Sequence, residues 1–399
     1  MYIKNTPEFE QTLSAVRKFI KQEVYPFEAK LLKDSFFKIE PWIKEKRRQV
    51  QDMGLLAPHI PQKLGGGGLT LTEFAQLGEI LGTTPYGHYI FNCQAPDAGN
   101  MELLIHHGTE SQKEQYLKPL IAGNIRSCFS MTEPEFAGSN PVNLGTTAVK
   151  DGEDYIISGH KWFTSSAEGS EFAIVMAVTN QAAPAYQRAS MFIVPVNTPG
   201  FELVRNISIM GETGEGYLSH AEIRYNDCRV SARQRIGAEG AGFLLAQERL
   251  GPGRIHHCMR WIGICERAFR LMCQRACDRQ LSEGVMLGHK QTVQNWIAES
   301  YAQIQAARLM VLHTAKNMEK NGAKAVRNEI SAIKFQVAGV LQDVIDKAIQ
   351  THGASGLTDE NILSFWYRHE RAARIYDGPD EVHKASLAKG ILQQYGLKI

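Results

Sequence analysis

"DYIISGHKWFTS", residues 154–165, decides how the chain is divided. Its β-branched and aromatic residues suit a pleated strand better than a helix. Three neighbouring runs have the same character, "EFAIVMAVT", "ASMFIVPV" and "SHAEIRYNDCRV", and Gly, Pro and Asn turns separate them. Residues 125–235 therefore read as a β domain, a small barrel or sandwich. Outward in both directions the period changes. Before it, "TPEFEQTLSAVRKFIKQEV" and "TLTEFAQLGEILG" repeat apolar residues every three or four positions, so residues 1–124 read as an all-α domain. Its "PQKLGGGGLT" segment, with four consecutive glycines at 65–68, is a loop. After it, Val293, Ile297, Tyr301, Ile304 and Val311 trace one helical face, and Ile330, Ile333, Val337, Val340, Val344 and Ala348 trace another. Residues 236–399 read as a helical bundle of four helices. The expected class is α+β multidomain, in the order α, β, bundle.

Composition narrows the functions. The chain has 399 residues, 43% of them hydrophobic and 22% charged, with a net charge of only +2. No run of five or six like charges occurs, so the electrostatic footprint of a nucleic-acid binder is missing. Apolar runs such as "FAIVMAV" are too short to span a bilayer. The N-terminal stretch mixes acids and bases at helical spacing and carries no apolar signal core or Arg-rich transit pattern, which leaves a cytoplasmic location as the expectation. Seven cysteines are an odd number without a disulfide framework. Cys258, Cys265, Cys273 and Cys277 recur at helical intervals with no CxxC pair, and read as small core residues rather than as a metal site.

Several common chemistries lack their motif. "GETGEG" at 211–216 does not follow the GxGxxG order and reads as a hairpin. GxxxxGK[ST], HExxH and GxSxG are all absent. "CFSMTEPEFAGSN", 128–140, says more, because it passes from a β-like run into a turn with Thr132, Glu133 and the small group Ala137, Gly138, Ser139. Such a turn can offer backbone N–H groups to a ligand, and Gly138 lets the main chain come close. An ordinary interstrand loop would look the same. Trp162 and Thr164 lie two apart, hence on one face of a regular strand. An indole beside a hydroxyl suits a flat heteroaromatic with a hydrogen-bonding edge, although a buried Trp is more often plain core.

"RIYDGPDEVHKA", 374–385, has two readings. Locally it describes a helix start, with Asp377 as N-cap, Pro379 in the first turn and Asp380 three residues on. The competing reading is chemical. A carboxylate at the junction of two bundle helices, where a pocket can form, could be desolvated enough to act as a base.

Together and in order, these stretches resemble the acyl-CoA dehydrogenase family of flavoproteins. The resemblance runs over nearly the whole chain, through "PQKLGGGGL", "GTESQKEQYLKPLIAGN", "SMTEPEFAGSN", "GHKWFTS", "ERLGPGRIHHCMRWIG" and "RIYDGPDEVHKASLAKGIL". The last two are similar to a branch with an Asp-Gly-Pro-Asp-Glu-Val-His ending. What the resemblance implies is FAD-dependent α,β-dehydrogenation of an acyl-CoA thioester to a trans-2-enoyl-CoA. Asp377 matches the family's base, usually Glu, between Tyr376 and Gly378. The family's other base position falls on Gly253 here.

For FAD the matching positions are Phe129, Met131, Thr132, Gly138, Trp162 flanking the ring, and Thr164 near N5. Ser139 matches a residue at the pantetheine arm, and Arg254, Tyr376 and Gly378 match the substrate channel. Arg279, Gln291, Gln350, Gly353 and Ala354 match the set that completes a neighbouring subunit's cofactor site, which implies a homodimer or homotetramer. Pro379 and Glu381 match further cofactor contacts. The implied electron acceptor is an electron-transferring flavoprotein. A flavin-bearing regulatory protein on the same scaffold and an oxygen-using oxidase stay open as alternatives. The chain departs from the family pattern in three places: Ser282 and Glu283 replace a Phe-Gly pair after Arg279, "TEPEFAGSN" is one residue longer, and the base is Asp. Aspartate is one methylene shorter than glutamate, roughly 1.5 Å of reach.

Overall fold

The computed structural model describes residues 4–398. Packing sorts them into two compact units. One takes Ser35–Gly68 and Tyr89–Gly253; the other takes the segment ending at Asp34, Leu69–His88, and everything from Arg254 onward.

In the first unit the four sequence runs are strands of one eight-stranded sheet. In hydrogen-bonded order they are Arg235–Ile236, Ala189–Pro195, Phe172–Val178, Thr147–Asp151, Asp154–Ser165, His220–Ser231 and Phe201–Asn206. Ser127–Ser130 runs parallel beside Phe172–Val178. That strand is apolar without alternation because it is buried on both faces. Phe172, Ile174 and Met176 pack on Met101, Leu104, Tyr116 and Leu117 from the helical segments. Ala173, Val175 and Ala177 pack on Tyr155, Ile157, Ile223 and Tyr225 inside the sheet. "GETGEG" does contain a hairpin strand, Glu212–Thr213, paired with Ser208–Ile209.

Asp154–Ser165 departs from a regular strand. Its pairing with His220–Ser231 slips between Lys161 and Thr164, and Phe163 inside the slip has φ of 50°. The alternation that would put Trp162 and Thr164 on one face is broken there. Thr164 is fully buried, whereas Trp162 is half-buried and Phe163 exposed.

The second unit is built on the long helices Gly242–Asp278 (from Arg254 on), Gln291–Asn321, Arg327–His352 and Asp380–Gln394, with the shorter Ile362–Glu370. Ile304, Val311, Ile333, Val337, Val344 and Ala348 do form its core, around Trp261 and Trp366. Tyr301 does not; it is 57% exposed. Helix Leu71–Gly82, opened by a Thr70–Glu73 capping box, belongs to the same unit. Its Glu79 takes two 2.8 Å hydrogen bonds from Arg308. Cys258 and Cys265 lie in this core as expected, but Cys277 is exposed. No helix among the described residues is long and apolar enough to cross a membrane.

Candidate active site

Ile375 to Pro379 form a turn between the 3-10 helix Arg371–Arg374 and the helix that begins at Asp380, with Pro379 at the N-cap position. The helix-start reading of Asp377 is therefore corrected: Pro379 is the N-cap residue, and Asp380 is the first helical residue, bonded to Arg374 Nε at 2.7 Å. The helix starts two residues later than that reading, with the proline at the cap, because its fixed φ suits the cap as well as the first turn.

Asp377 instead sits in the left-handed region, at φ of 54°, followed by Gly378 at φ of 100°. A non-glycine residue there costs about 1–3 kcal/mol, and Asp tolerates it better than most. Glycine at 378 is required twice over, since a Cβ would also meet His383 Nε2 at 2.7 Å. Three side chains from three helices hold this turn by its main chain. Arg254 Nε donates to the Asp377 carbonyl at 3.1 Å, and His383 Nε2 donates to the same oxygen at 3.0 Å. Lys334 Nζ donates to the carbonyls of Ala373 at 2.6 Å and Gly378 at 3.2 Å. The Tyr376 hydroxyl accepts from Arg260 at 3.0 Å and from Trp261 Nε1 at 3.1 Å, and Arg260 is paired with Glu370.

With the main chain fixed, the carboxylate points at an imidazole. Asp377 Oδ2 lies 3.3 Å from His257 Nε2, and the two side chains are 21% and 17% exposed.

Burial, with Arg254 reinforcing it, pushes the His383 imidazole down to about 4. It is neutral at physiological pH, and since a carbonyl only accepts, Nε2 carries its hydrogen. Between pH 6.5 and about 4 the unfolded chain binds a proton that the folded one refuses, so this group's contribution is complete above 6.5 and is lost on acidification. Denaturant unfolding at pH 6.5 and 5 should show stability falling by about 2 kcal/mol less in His383→Gln than in the parent chain. Equal falls would disprove this assignment.

The first unit carries the other predicted residues. Trp162 N donates to Thr132 O at 3.1 Å, and Thr132 Oγ1 donates to Trp162 O at 2.9 Å. The two glycine- and aromatic-bearing stretches are thus side by side through these two bonds. Beneath them Lys161 is fully buried, donating to Met131 O and to Glu133 Oε1, both at 2.8 Å. Glu133 also accepts from the backbone of Gly145 at 2.6 Å and Thr146 at 2.9 Å. Burial brings Lys161 down to about 8 against the pull of Glu133. For Glu133, burial is outweighed by Lys161 and these hydrogen bonds, and its carboxyl lies below the ordinary range. The pair makes Met131–Glu133 a fixed edge.

Phe129 and Met131 are partly buried against the helix-facing core, and Gly138 and Ser139 are exposed. A Cβ on Gly138 would meet Thr132 Cγ2 at 3.1 Å, a tight approach. Thr164 departs from its expected place. Its hydroxyl is 3.2 Å from Ser130 Oγ, which in turn accepts from Tyr225 at 3.0 Å, so it faces the sheet interior. The side chains outside are Phe163, 44% exposed with its ring 4.8 Å from that of Trp162, and half-buried Ser165. The sequence held one clue to this, two aromatics in succession, which a regular strand would send to opposite faces.

Arg279, Gln291, Gln350, Gly353, Ala354 and Glu381 are all exposed, and Pro379 is half-buried. An open groove lined by Tyr186, Gln187, Phe243 and Leu244 contains none of the predicted residues. Sequence reasoning missed His257, Lys334 and His383 beside Asp377. His257 and His383 lie inside the quoted stretches "ERLGPGRIHHCMRWIG" and "RIYDGPDEVHKASLAKGIL", which was the one signal for them; Lys334 had none.

One unit thus holds a turn that fixes a carboxylate, and the other holds a rigid, aromatic-flanked edge. Family models for the N-terminal, middle and C-terminal domains of acyl-CoA dehydrogenases match residues 6–124, 128–228 and 240–392. The chain belongs to the acyl-CoA dehydrogenase family. It is 44% identical over 357 residues to the Mycobacterium tuberculosis protein named "Probable acyl-CoA dehydrogenase FadE2", covering 89% of this chain and 86% of that one. It is 39% identical over 401 residues to acyl-CoA dehydrogenase family member 11 of Gallus gallus, covering 98% of this chain and 51% of that one. It therefore spans about half the length of the latter relative. Among solved structures, the acyl-CoA dehydrogenase of Geobacillus kaustophilus matches with a TM-score of 0.86 at 27% identity, covering 98% of this chain and 100% of that one.

Proposed function

We propose that this chain is an FAD-dependent acyl-CoA dehydrogenase in which Asp377 removes the α-proton of the thioester. The observation that carries the reading is the turn at 376–378, where a left-handed main chain tied down by Arg254, His383 and Lys334 aims a partly buried carboxylate. An α-proton of a thioester is weakly acidic, so the base must be held within reach and the carbonyl oxygen must meet hydrogen-bond donors as negative charge develops. The Asp377 N–H is the donor this chain supplies in that reading, and a main chain held from three helices keeps it aimed. Exclusion of water on substrate binding would raise the proton affinity of Asp377 towards the working pH.

The residues fit FAD. Phe163 offers an exposed aromatic face beside Trp162, Met131–Glu133 is a fixed polar edge, and Gly138 leaves room for a close approach. When bound, FAD supplies the hydride acceptor for the β-hydrogen. Ser139 serves the pantetheine arm and Arg254 the channel near the thioester. In this reading Thr164 acts only as support for the edge, and Ser165 takes over its proposed contact. Electrons pass to an electron-transferring flavoprotein, in the cytoplasm, from a homodimer or homotetramer.

Exposure of Arg279, Gln291, Gln350, Gly353 and Ala354 suits a role in a partner subunit's cofactor site. Arg279→Ala should lower FAD content after gel filtration or shift the oligomer to smaller species. A variant that keeps both would remove the shared-site part of the reading. The activity itself is tested anaerobically: the purified protein should be yellow, and a suitable acyl-CoA from a panel of short, medium, long and branched chains should bleach its flavin band. Oxygen consumption at the rate of turnover would identify an oxidase instead.

A further inference from the structure

His257 lies three residues beyond Arg254 on the same helix, so both side chains face the turn that carries Asp377. Arg254 takes the main-chain carbonyl. His257 meets the side chain, with Nε2 3.3 Å from Oδ2. Its ring has little freedom, being stacked at 5.9 Å and 21° on Trp261 and tilted at 5.1 Å and 56° against Tyr376. Trp261 and Tyr376 are themselves joined by the 3.1 Å indole-to-hydroxyl bond. Arg254, His383 and Lys334 fix the backbone of residues 377 and 378, so the freedom left to the acid is rotation of its own side chain. The imidazole stands where it removes that freedom.

We propose that His257 is the positioning residue of the Asp377 carboxylate: its contact with Oδ2 selects the rotamer in which the acid meets the substrate proton. The inference rests on Asp377 being the base. It also accounts for how an acid one methylene shorter than glutamate is kept at a defined reach, since about 1 Å of misplacement can cost about a hundredfold in rate.

The charged and titratable groups around the pair come from every packed element. Arg254 lies on the same helix, and Lys334 on Arg327–His352 sits 5.4 Å over the Trp261 ring and 5.7 Å over that of Tyr376. His383 comes from the following helix and is neutral, and the Arg260–Glu370 pair stands beyond the Tyr376 hydroxyl. When Asp377 takes the substrate proton, the proton from carbon ends on the carboxylate, and the imidazole loses its anionic neighbour.

The test uses the FAD-bound protein and an acyl-CoA that bleaches it. His257→Leu should keep FAD content and acyl-CoA dissociation constant within about twofold, slow flavin reduction by about tenfold to a hundredfold, and move the acid limb of the pH–rate profile. His257→Gln, which keeps an N–H donor, should recover to within about fivefold. A crystal structure of His257→Leu should show the Asp377 carboxylate in a second rotamer, a readout independent of activity. A Leu variant whose rate and profile superimpose on the parent, or a Gln variant as slow as Leu, would overturn the inference. If Asp377→Asn abolishes reduction while His257→Leu changes nothing, only this inference fails. If Asp377→Asn reduces normally, the base reading fails and takes the inference with it.

Discussion

Asp377→Asn should give a folded, yellow protein whose flavin acyl-CoA no longer bleaches. The substitution keeps the size and the left-handed tolerance of the residue, since Asn and Asp share both. The Arg254 and His383 bonds go to the main-chain oxygen and survive it. What is lost is the capacity to take a proton, and a positioned base is worth about 10²–10⁴ in rate. The expected loss in anaerobic stopped-flow reduction is therefore on the order of a thousandfold, with FAD content unchanged. Asp377→Glu should retain measurable turnover, because it lengthens the arm but leaves the base in place. Retention of the parent rate by the Asn variant would remove Asp377 from the chemistry.

The second large effect falls on Lys334→Met. Lys334 is fully buried, and burial depresses its proton affinity, with Asp377 opposing. Its ammonium group nevertheless serves two main-chain carbonyls, those of Ala373 and Gly378. Methionine fills a similar volume and supplies no donor, so two acceptors lose their partner at a cost of about 1–3 kcal/mol each. Some relaxation will recover part of that. A loss of about 2–4 kcal/mol in denaturant unfolding is expected, together with slower flavin reduction as the turn loosens. An unchanged unfolding midpoint would show that the turn is held by other means.

The alternation of helical and strand periods made the architecture legible, because burial imposes those periods directly. Ile333, Val337, Val344 and Ala348 could be assigned to one buried face from spacing alone. Tyr301 shared the spacing and is exposed, since a period says which residues share a face and not how far along the helix that face stays covered. Asp377 was legible as two things at once, a cap or a base. Local propensity favoured the cap, and the turn's actual geometry depends on tethers from Arg254, Lys334 and His383. These lie 123, 43 and 6 residues away, the first two beyond any local pattern. Thr164 was misplaced for a similar reason. One residue in the left-handed region, Phe163, reverses the facing of everything after it, and its sequence gives no warning because Phe has no preference for that conformation.

Proton removal can be separated from hydride transfer with an acyl-CoA that has α-hydrogens and no β-hydrogen. The most direct measurement is the uptake of solvent deuterium at that α-carbon in heavy water, followed by NMR or mass spectrometry with the FAD-bound protein. The account predicts exchange catalysed by the parent chain and none above background with Asp377→Asn. Exchange by the Asn variant at the parent's rate would contradict it.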